Sequence, residues 1–574
     1  MKHTRYIALL AGLCAALTAR AQNEVIDVTN TYEPTAPEVR KADLPMALPD
    51  SLLQFDYQYD YTVFDNPFKG SYEFSPYLIG ITPETKEEFR RLYVKAGAGY
   101  SLRPTLDAVW TPESRFNVRV TARHDSYFGR MRDFSSYAAQ GQASLAGPAT
   151  LESDGTTYGR DMVNALGISA DHDAGDWLLR LAAGYDGISA KDYSLSRNLH
   201  SGFLKADVRS ADSAQIVWSG NAQYRYTRDD IKQALGVNEN HLLLGAGLGT
   251  TLGNGHFVGA SLSFEQAFYG GDWDAYGGLL TVYPHYDITT PYWAFSFGAR
   301  LHASFHSSRT DIAAYNADDI HSGRWLLPVP AVTVEYTAYR DLLVPFVRLT
   351  GGASLNNWSA MVRDNHFRYD AMARPDGAPM EDSFERLRAE LGFRGRIGYV
   401  LSYQLSGGYA SVHNGLVDAW LTPAAFTPAT TYDFADYGQA FADLRYEFRY
   451  GGVESDARLA LRKTYVEEGE GDYDGHTTYF GPAMLSGSVR FGYNWHNRLH
   501  VGVDFGFETS RKGVGEMQLT VPGWVDLGLD ARYRFNRRLS FWAQAGNLLG
   551  NDIQRHLLHA EAGAYVTAGV IFSL

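Results

Sequence analysis

The chain has 574 residues, a formal charge of −14, and 38 Tyr, 30 Phe and 11 Trp beside 57 Gly. The acidic balance argues against a nucleic-acid partner. The single cysteine, Cys14, falls in residues 1–21, so disulfides and thiolate metal sites are excluded once that segment is removed.

Residues 1–21 read as a signal peptide. Lys2, His3 and Arg5 form its charged start, Tyr6 to Leu17 its short apolar core, and Ala19-Arg20-Ala21 its cleavage site, leaving Gln22 first. Leu13 stands before Cys14 where a lipoprotein signal needs a small residue, so lipidation is disfavoured. Residues 22–90 are rich in proline, with Pro34, Pro37, Pro45, Pro49, Pro67, Pro76 and Pro83 marking an extended segment in the periplasm or in a lumen. Within it Phe55, Tyr57, Tyr59, Tyr61 and Val63 alternate with polar residues. That is a strand pattern, open to pairing with a partner's edge, in a local hairpin or along a wall.

From residue 91 the pattern is uniform: segments of about ten residues alternate apolar with polar or glycine, separated by turn residues. Leu387, Ala389, Leu391 and Phe393 alternate with Arg388, Glu390, Gly392 and Arg394. Ala442, Leu444, Tyr446 and Phe448 alternate with Asp443, Arg445, Glu447 and Arg449. Val501, Val503, Phe505 and Phe507 alternate with Gly502, Asp504, Gly506 and Glu508. Val525, Leu527, Leu529, Ala531, Tyr533 and Phe535 alternate with Asp526, Gly528, Asp530, Arg532 and Arg534. Charges gathered on one parity call for one oily face and one wet face. No run beyond the N-terminus reaches the roughly 18 apolar residues of a membrane helix, and only a closed barrel satisfies strand backbones in lipid. The predicted fold is therefore an all-β transmembrane antiparallel barrel over 91–574, placed in the cell outer membrane.

Strands are predicted to begin near 91, 103, 115, 162, 177, 200, 214, 240, 256, 277, 292, 328, 342, 386, 400, 438, 454, 483, 499, 523, 539 and 564, about 22 in all, an even number as bacterial barrels prefer. Gly253-Asn254-Gly255, Arg340-Asp341 and Trp495 to Arg498 are short turns for the periplasmic end. Residues 128–160, 307–324, 358–384, 414–437 and 467–482 are long outer loops. The segment 137–147 has strand character, but a strand there would break the up-down alternation and is assigned to a loop.

Three features carry a family resemblance. They are the strand count, the ending Gly546-Asn547-Leu548-Leu549-Gly550-Asn551 followed by a last strand through Ala568 to Phe572, and the start Glu24-Val25-Ile26-Asp27-Val28 with Tyr32-Glu33-Pro34 behind it. Together they resemble the TonB-dependent receptor-like barrels of Bacteroidota. The resemblance implies transport of a polar solute or ligand, outer-membrane lipid around the chain, and TonB or other periplasmic or outer-membrane proteins as partners, with Glu24 to Val28 as the box that engages TonB. It also implies a folded plug before the barrel. Residues 22–90 are too few and too proline-rich for one, which raises the alternative of a plugless barrel serving as a structural or assembly subunit.

The lumen-facing parity carries Arg386, Arg388, Glu390 and Arg394; Arg445, Glu447 and Arg449; and Asp526, Asp530, Arg532 and Arg534. One reading is a wet wall stiffened by cross-strand ion pairs, the other a surface for an anionic or polar cargo. His302 and His306 are four apart on a strand, roughly 13 Å by strand rise, too far to share an ion. The acidic loop Glu467 to Gly475 lacks the EF-hand pattern of a calcium site. No nucleophile elbow or zinc-helix motif is present, so no enzyme, metal or cofactor is predicted.

Overall fold

The computed structural model describes residues 91–574, apart from 115, 140–147, 212–214, 233–235, 272–273, 310–319, 340, 369–381, 422–429, 468–476 and 516–517. The signal peptide, Glu24 to Val28, the Phe55–Val63 alternation and most of the acidic loop lie outside the described residues.

The wall is a closed, antiparallel barrel of 22 strands. Each pairs with its sequence neighbour, and the first strand, Leu92–Tyr100, pairs with the last, Tyr565–Ser573, from Tyr93 opposite Ser573 to Tyr100 opposite Val566. Closure leaves no free edge along the wall, which is what lets strand backbones sit in lipid. Leu166, Leu204, Leu248, Val347 and Leu391 lie exposed on the outer face, Leu391 at 68%. Tyr292, Trp293, Tyr399, Tyr450, Trp495 and Phe535 ring the short-turn end on the same face, as an aromatic girdle at a membrane interface does. This apolar belt on a closed barrel places the chain in an outer membrane.

The short turns are built by residues that tolerate positive φ. His496 and Asn497 have φ of 50° and 55°, the two positive values of a type I′ hairpin. Gly253, Asn254 and Gly255 are all left-handed as well. Close strand approach also selects glycine: a Cβ on Gly408 would fall 1.9 Å from the Ala389 carbonyl oxygen.

At the opposite end the strands outrun the predicted loops. The third wall strand continues to Asp133 and the fourth begins at Gly155, so much of 128–160 is wall, and Ser135–Ala139 forms a short helix. Likewise, strands Leu401–Leu421 and Thr430–Tyr450 fill most of 414–437. The hairpin they form kinks at a bulge between Val412 and Gly415. Its far edge, Asp418 to Leu421, then pairs with Thr477–Phe480 from the next loop. Periodicity stays alternating beyond the membrane because these extensions still have two faces, one of them against other loops.

Candidate functional site

The long loops pack on one another across the barrel mouth. Phe134 and Leu151, Trp420, Phe480, Leu519 and Val521, and Leu557 and Leu558 form one buried cluster, although they come from loops spaced around the whole wall. A small sheet joins two of these loops, with Leu519 beside Ala149 and Thr520 beside Thr150. Loop 547–564 is pinned by the closing-motif asparagines. Asn547 donates its N–H to Asp526 (2.9 Å) and its side-chain amide to the Asn551 carbonyl (2.8 Å), while Asn551 reaches the Val525 carbonyl (2.6 Å). Tyr193 stacks on His559, Phe367 stacks on it as well, and His559 Nδ1 lies 3.0 Å from Asp192. Burial pushes the Asp192 carboxyl up, but His559 and the Ser194 and Leu195 groups that hydrogen-bond to it prevail and hold it below the usual carboxylate range. Burial also lowers the neighbouring His556.

Beneath this cap, one loop turns into the mouth. The helix Trp358–Asp364 is capped by Asn357, whose side chain accepts the Ala360 N–H at 2.9 Å. Trp358 is fully buried among Leu195, Leu199, Ile231, Val237, Leu279 and Met361, on or next to four wall strands and on its own helix. Its indole N–H donates to Asp229 (2.7 Å), which is also held by the Arg197 guanidinium (3.0 Å). Arg197 and Asp229 are both 0% exposed at the side chain. Arg197 donates further to the loop carbonyls of His366 (2.6 Å) and Arg368. Glu239 accepts the Ser359 N–H at 3.0 Å in the first helical turn, where a carboxylate also meets the positive end of the helix. His366 reaches Asp161 at 2.7 Å. The wall thus holds the loop through charge-assisted bonds to backbone, to an indole and to an imidazole.

Below the inserted loop the lumenal wall carries a recess of about 620 Å³, lined by Arg300, Arg348, Arg388 and Arg445 together with Asp287, Glu335, Glu385, Glu390 and Asp443. Most of its cations are paired and stacked. Arg348 lies 3.5 Å from Glu335 and 3.8 Å from Glu390, over the Phe346 ring. Arg394 donates to Glu335 at 2.7 Å, and Arg388 donates to Glu385 at 3.2 Å. Arg388 and Arg462 both lie on Phe441, and Arg462 holds Asp443 at 2.6 Å. Arg300 donates to the Gly351 carbonyl (2.6 Å) above Tyr283.

Arg388, Glu390, Arg394 and Arg445 therefore come together in one stretch of wall. Glu447 and Arg449 stand nearer the short turns of the same strand. Asp526, Asp530, Arg532 and Arg534 belong to a separate stretch, where Asp530 holds Arg490 (3.0 Å) and His500 (3.4 Å). Arg386 lies beside a bulge between Glu385 and Leu387 and reaches Asp436 at 3.4 Å. His302 bonds Thr281 (2.8 Å) and His306 bonds Asp382 (2.9 Å), and among the described residues no group of His, Cys, Asp or Glu has the arrangement of a metal site.

Sequence reading missed Arg197, Asp229, Glu239 and Trp358. Strand parity would have put Arg197 and Asp229 inside, and Asn357 before an isolated tryptophan is a helix-start signal. What joins them spans 129 residues, from Asp229 to Trp358.

No family model matches the chain, and no curated protein matches its sequence. Solved structures match its fold. The copper transporter OprC superposes with a TM-score of 0.61 at 13% identity over 85% of this chain and 80% of its own. The FrpB iron transporter of Neisseria meningitidis, in its apoprotein form, gives 0.62 at 9% identity over 85% and 81%. The siderophore receptor PiuA from Acinetobacter baumannii gives 0.60 at 13% identity over 85% and 82%. At these identities the likeness is one of fold.

Proposed function

We propose that this chain is a TonB-dependent-receptor-like outer-membrane barrel that moves a polar, charge-bearing solute inward, without catalysis. The observation that carries the reading is the charged recess beneath loops that pack on one another across the mouth. A general pore needs an open mouth, whereas a selective importer needs a mouth that opens on demand above groups that hold the cargo. The solved barrels of like fold, copper and iron transporters and a siderophore receptor, support transport as the class.

In this reading the solute is held first by the cap loops and passes the inserted helix once Trp358 leaves Asp229. Paired arginines and carboxylates down the wall, Arg348, Glu335, Arg388 and Glu390 among them, then offer donors and acceptors without a large net field, suiting a polar rather than an apolar cargo. Glu24 to Val28 are proposed as the segment that engages TonB.

The test is planar-bilayer conductance of the full chain and of a variant in which 356–381 is replaced by a short Gly-Ser turn. The expected result is a quiet wild-type protein and large steady conductance in the variant. Equal conductance would remove the gated mouth from the proposal. Binding of a Glu24–Val28 peptide to the periplasmic domain of TonB checks the partner, and its absence turns the reading towards the plugless assembly subunit.

A further inference from the structure

Among the wall arginines near the recess, two differ from the rest. Arg445 and Arg458 stand directly opposite one another on neighbouring strands. Both face the lumen: Arg445 lines the recess, and Arg458 shares its parity with Arg462, which reaches Asp443. Both side chains are exposed there. Cross-strand neighbours bring their Cβ atoms within about 4.5–5.5 Å, and like charges so placed repel. Arg348, Arg388, Arg394 and Arg462 each have a carboxylate partner. Arg445 and Arg458 have no ion pair or hydrogen bond among the described residues.

Gln404 stands opposite Arg445 on its other side, and Ser488 opposite Arg458, so the row runs Gln, Arg, Arg, Ser without an acid. One row towards the mouth, Asp443 is taken by Arg462. One row towards the short turns, Glu447 stands opposite Asp456, and neither makes an ion pair with the two arginines. Arg490, opposite Asp456, turns instead to Asp504 and Asp530.

From this geometry we infer that Arg445 and Arg458 form a binding site for a tetrahedral oxyanion with two negative charges, a terminal phosphoryl group of the transported solute or free sulfate. The inference rests on the transport reading above and names the chemistry of its cargo. A guanidinium presents a planar fork of donors that fits two oxygens at once. A carboxylate has only two oxygens and is satisfied by one fork. A tetrahedral oxyanion has oxygens for two forks approaching from adjacent strands, and its charge of two cancels the repulsion between them. Gln404 and Ser488 supply neutral donors at either end of the row. Partway down the lumen, such a site holds the anion after it has passed the inserted helix.

The test is isothermal titration of the detergent-solubilised full chain at low ionic strength with inorganic phosphate, sulfate and acetate. Wild type is expected to bind phosphate or sulfate saturably, roughly tenfold or more tighter than acetate, and the stronger of the two names the group. Arg445→Gln and Arg458→Gln should each weaken this binding by about tenfold or more, while Arg532→Gln, elsewhere on the wall, leaves it unchanged. Each replacement relieves a like-charge contact, so folding should survive, checked by the heat-dependent shift of barrels on gels. Absence of saturable binding, or equal binding by the double variant, overturns the site. Because binding is read without transport, a chain that binds phosphate while its 356–381 variant conducts no more than wild type loses the gated-mouth reading and leaves the site standing.

Discussion

Replacing Asp229 by alanine is the sharpest probe of the mouth. The side chain is wholly buried and accepts from Arg197 at 3.0 Å and from the Trp358 indole at 2.7 Å. Its removal strands a buried guanidinium and a buried indole N–H together. Breaking a buried ion pair from one side costs about 3–5 kcal/mol, and a lost hydrogen bond to a charged group about 1.5–3 kcal/mol. Part of this is recovered, because Arg197 keeps its bonds to the His366 and Arg368 carbonyls. A net loss of about 3 kcal/mol in loop docking is the working value, which raises the undocked population by roughly a hundredfold. Hydrogen exchange at 358–365 in the detergent-solubilised protein reads it directly: these amides should exchange about a hundredfold faster, with the wall strands unchanged. Replacing both partners, Arg197→Met with Asp229→Leu, removes the stranded charge and should return part of the protection. If Asp229→Ala leaves exchange at Trp358 to Asn365 unaltered, the ion pair does not hold the loop and the latch is wrong.

Other outcomes follow from the same contacts. Asn357→Ala removes the cap on Ala360 and should weaken the inserted helix by about 1 kcal/mol, seen as faster exchange confined to its first turn. Leu391→Lys puts a charge on the lipid face at a site 68% exposed to the membrane and should cost about 2–4 kcal/mol in folding into vesicles if it lies near the midplane. An equivalent change at the lumenal neighbour Glu390 should cost far less, and equal losses would contradict the assigned faces. The Asp192 carboxyl is held below its ordinary range, so the folded state binds its proton less readily than the unfolded one. Its contribution is therefore full above about pH 4, the unfolded value, and is lost as pH falls through the lower folded value. Protease nicking of loop 547–564 should show an acid step below about pH 4, and Asp192→Asn should abolish that step.

Alternation along the chain carried most of the wall. Leu387 to Arg394, Ala442 to Arg449 and Val525 to Arg534 declare an oily and a wet face because a strand has period two, and lipid tolerates polar groups on one side only. Strand count and outer-membrane location follow from that pattern repeated between turn residues. The same local rule could not show the bulge between Glu385 and Leu387, because one extra residue reverses the facing of a side chain and no composition marks it. The mouth was beyond sequence reading for a different reason. Loop 358–384 is polar, and its single Trp358 says nothing about where it will be buried until closure brings Asp229 and Arg197 beneath it. Nor does any local signal put Phe134, Trp420 and Leu557 in one cluster, since their loops meet only when the wall curves back on itself. The sequence by itself determined which face of each strand meets lipid, because that is settled within a few residues. Only the tertiary structure decided how the mouth is closed and which lumenal arginines lack a partner, because register across strands, not order along the chain, sets which charges stand opposite one another.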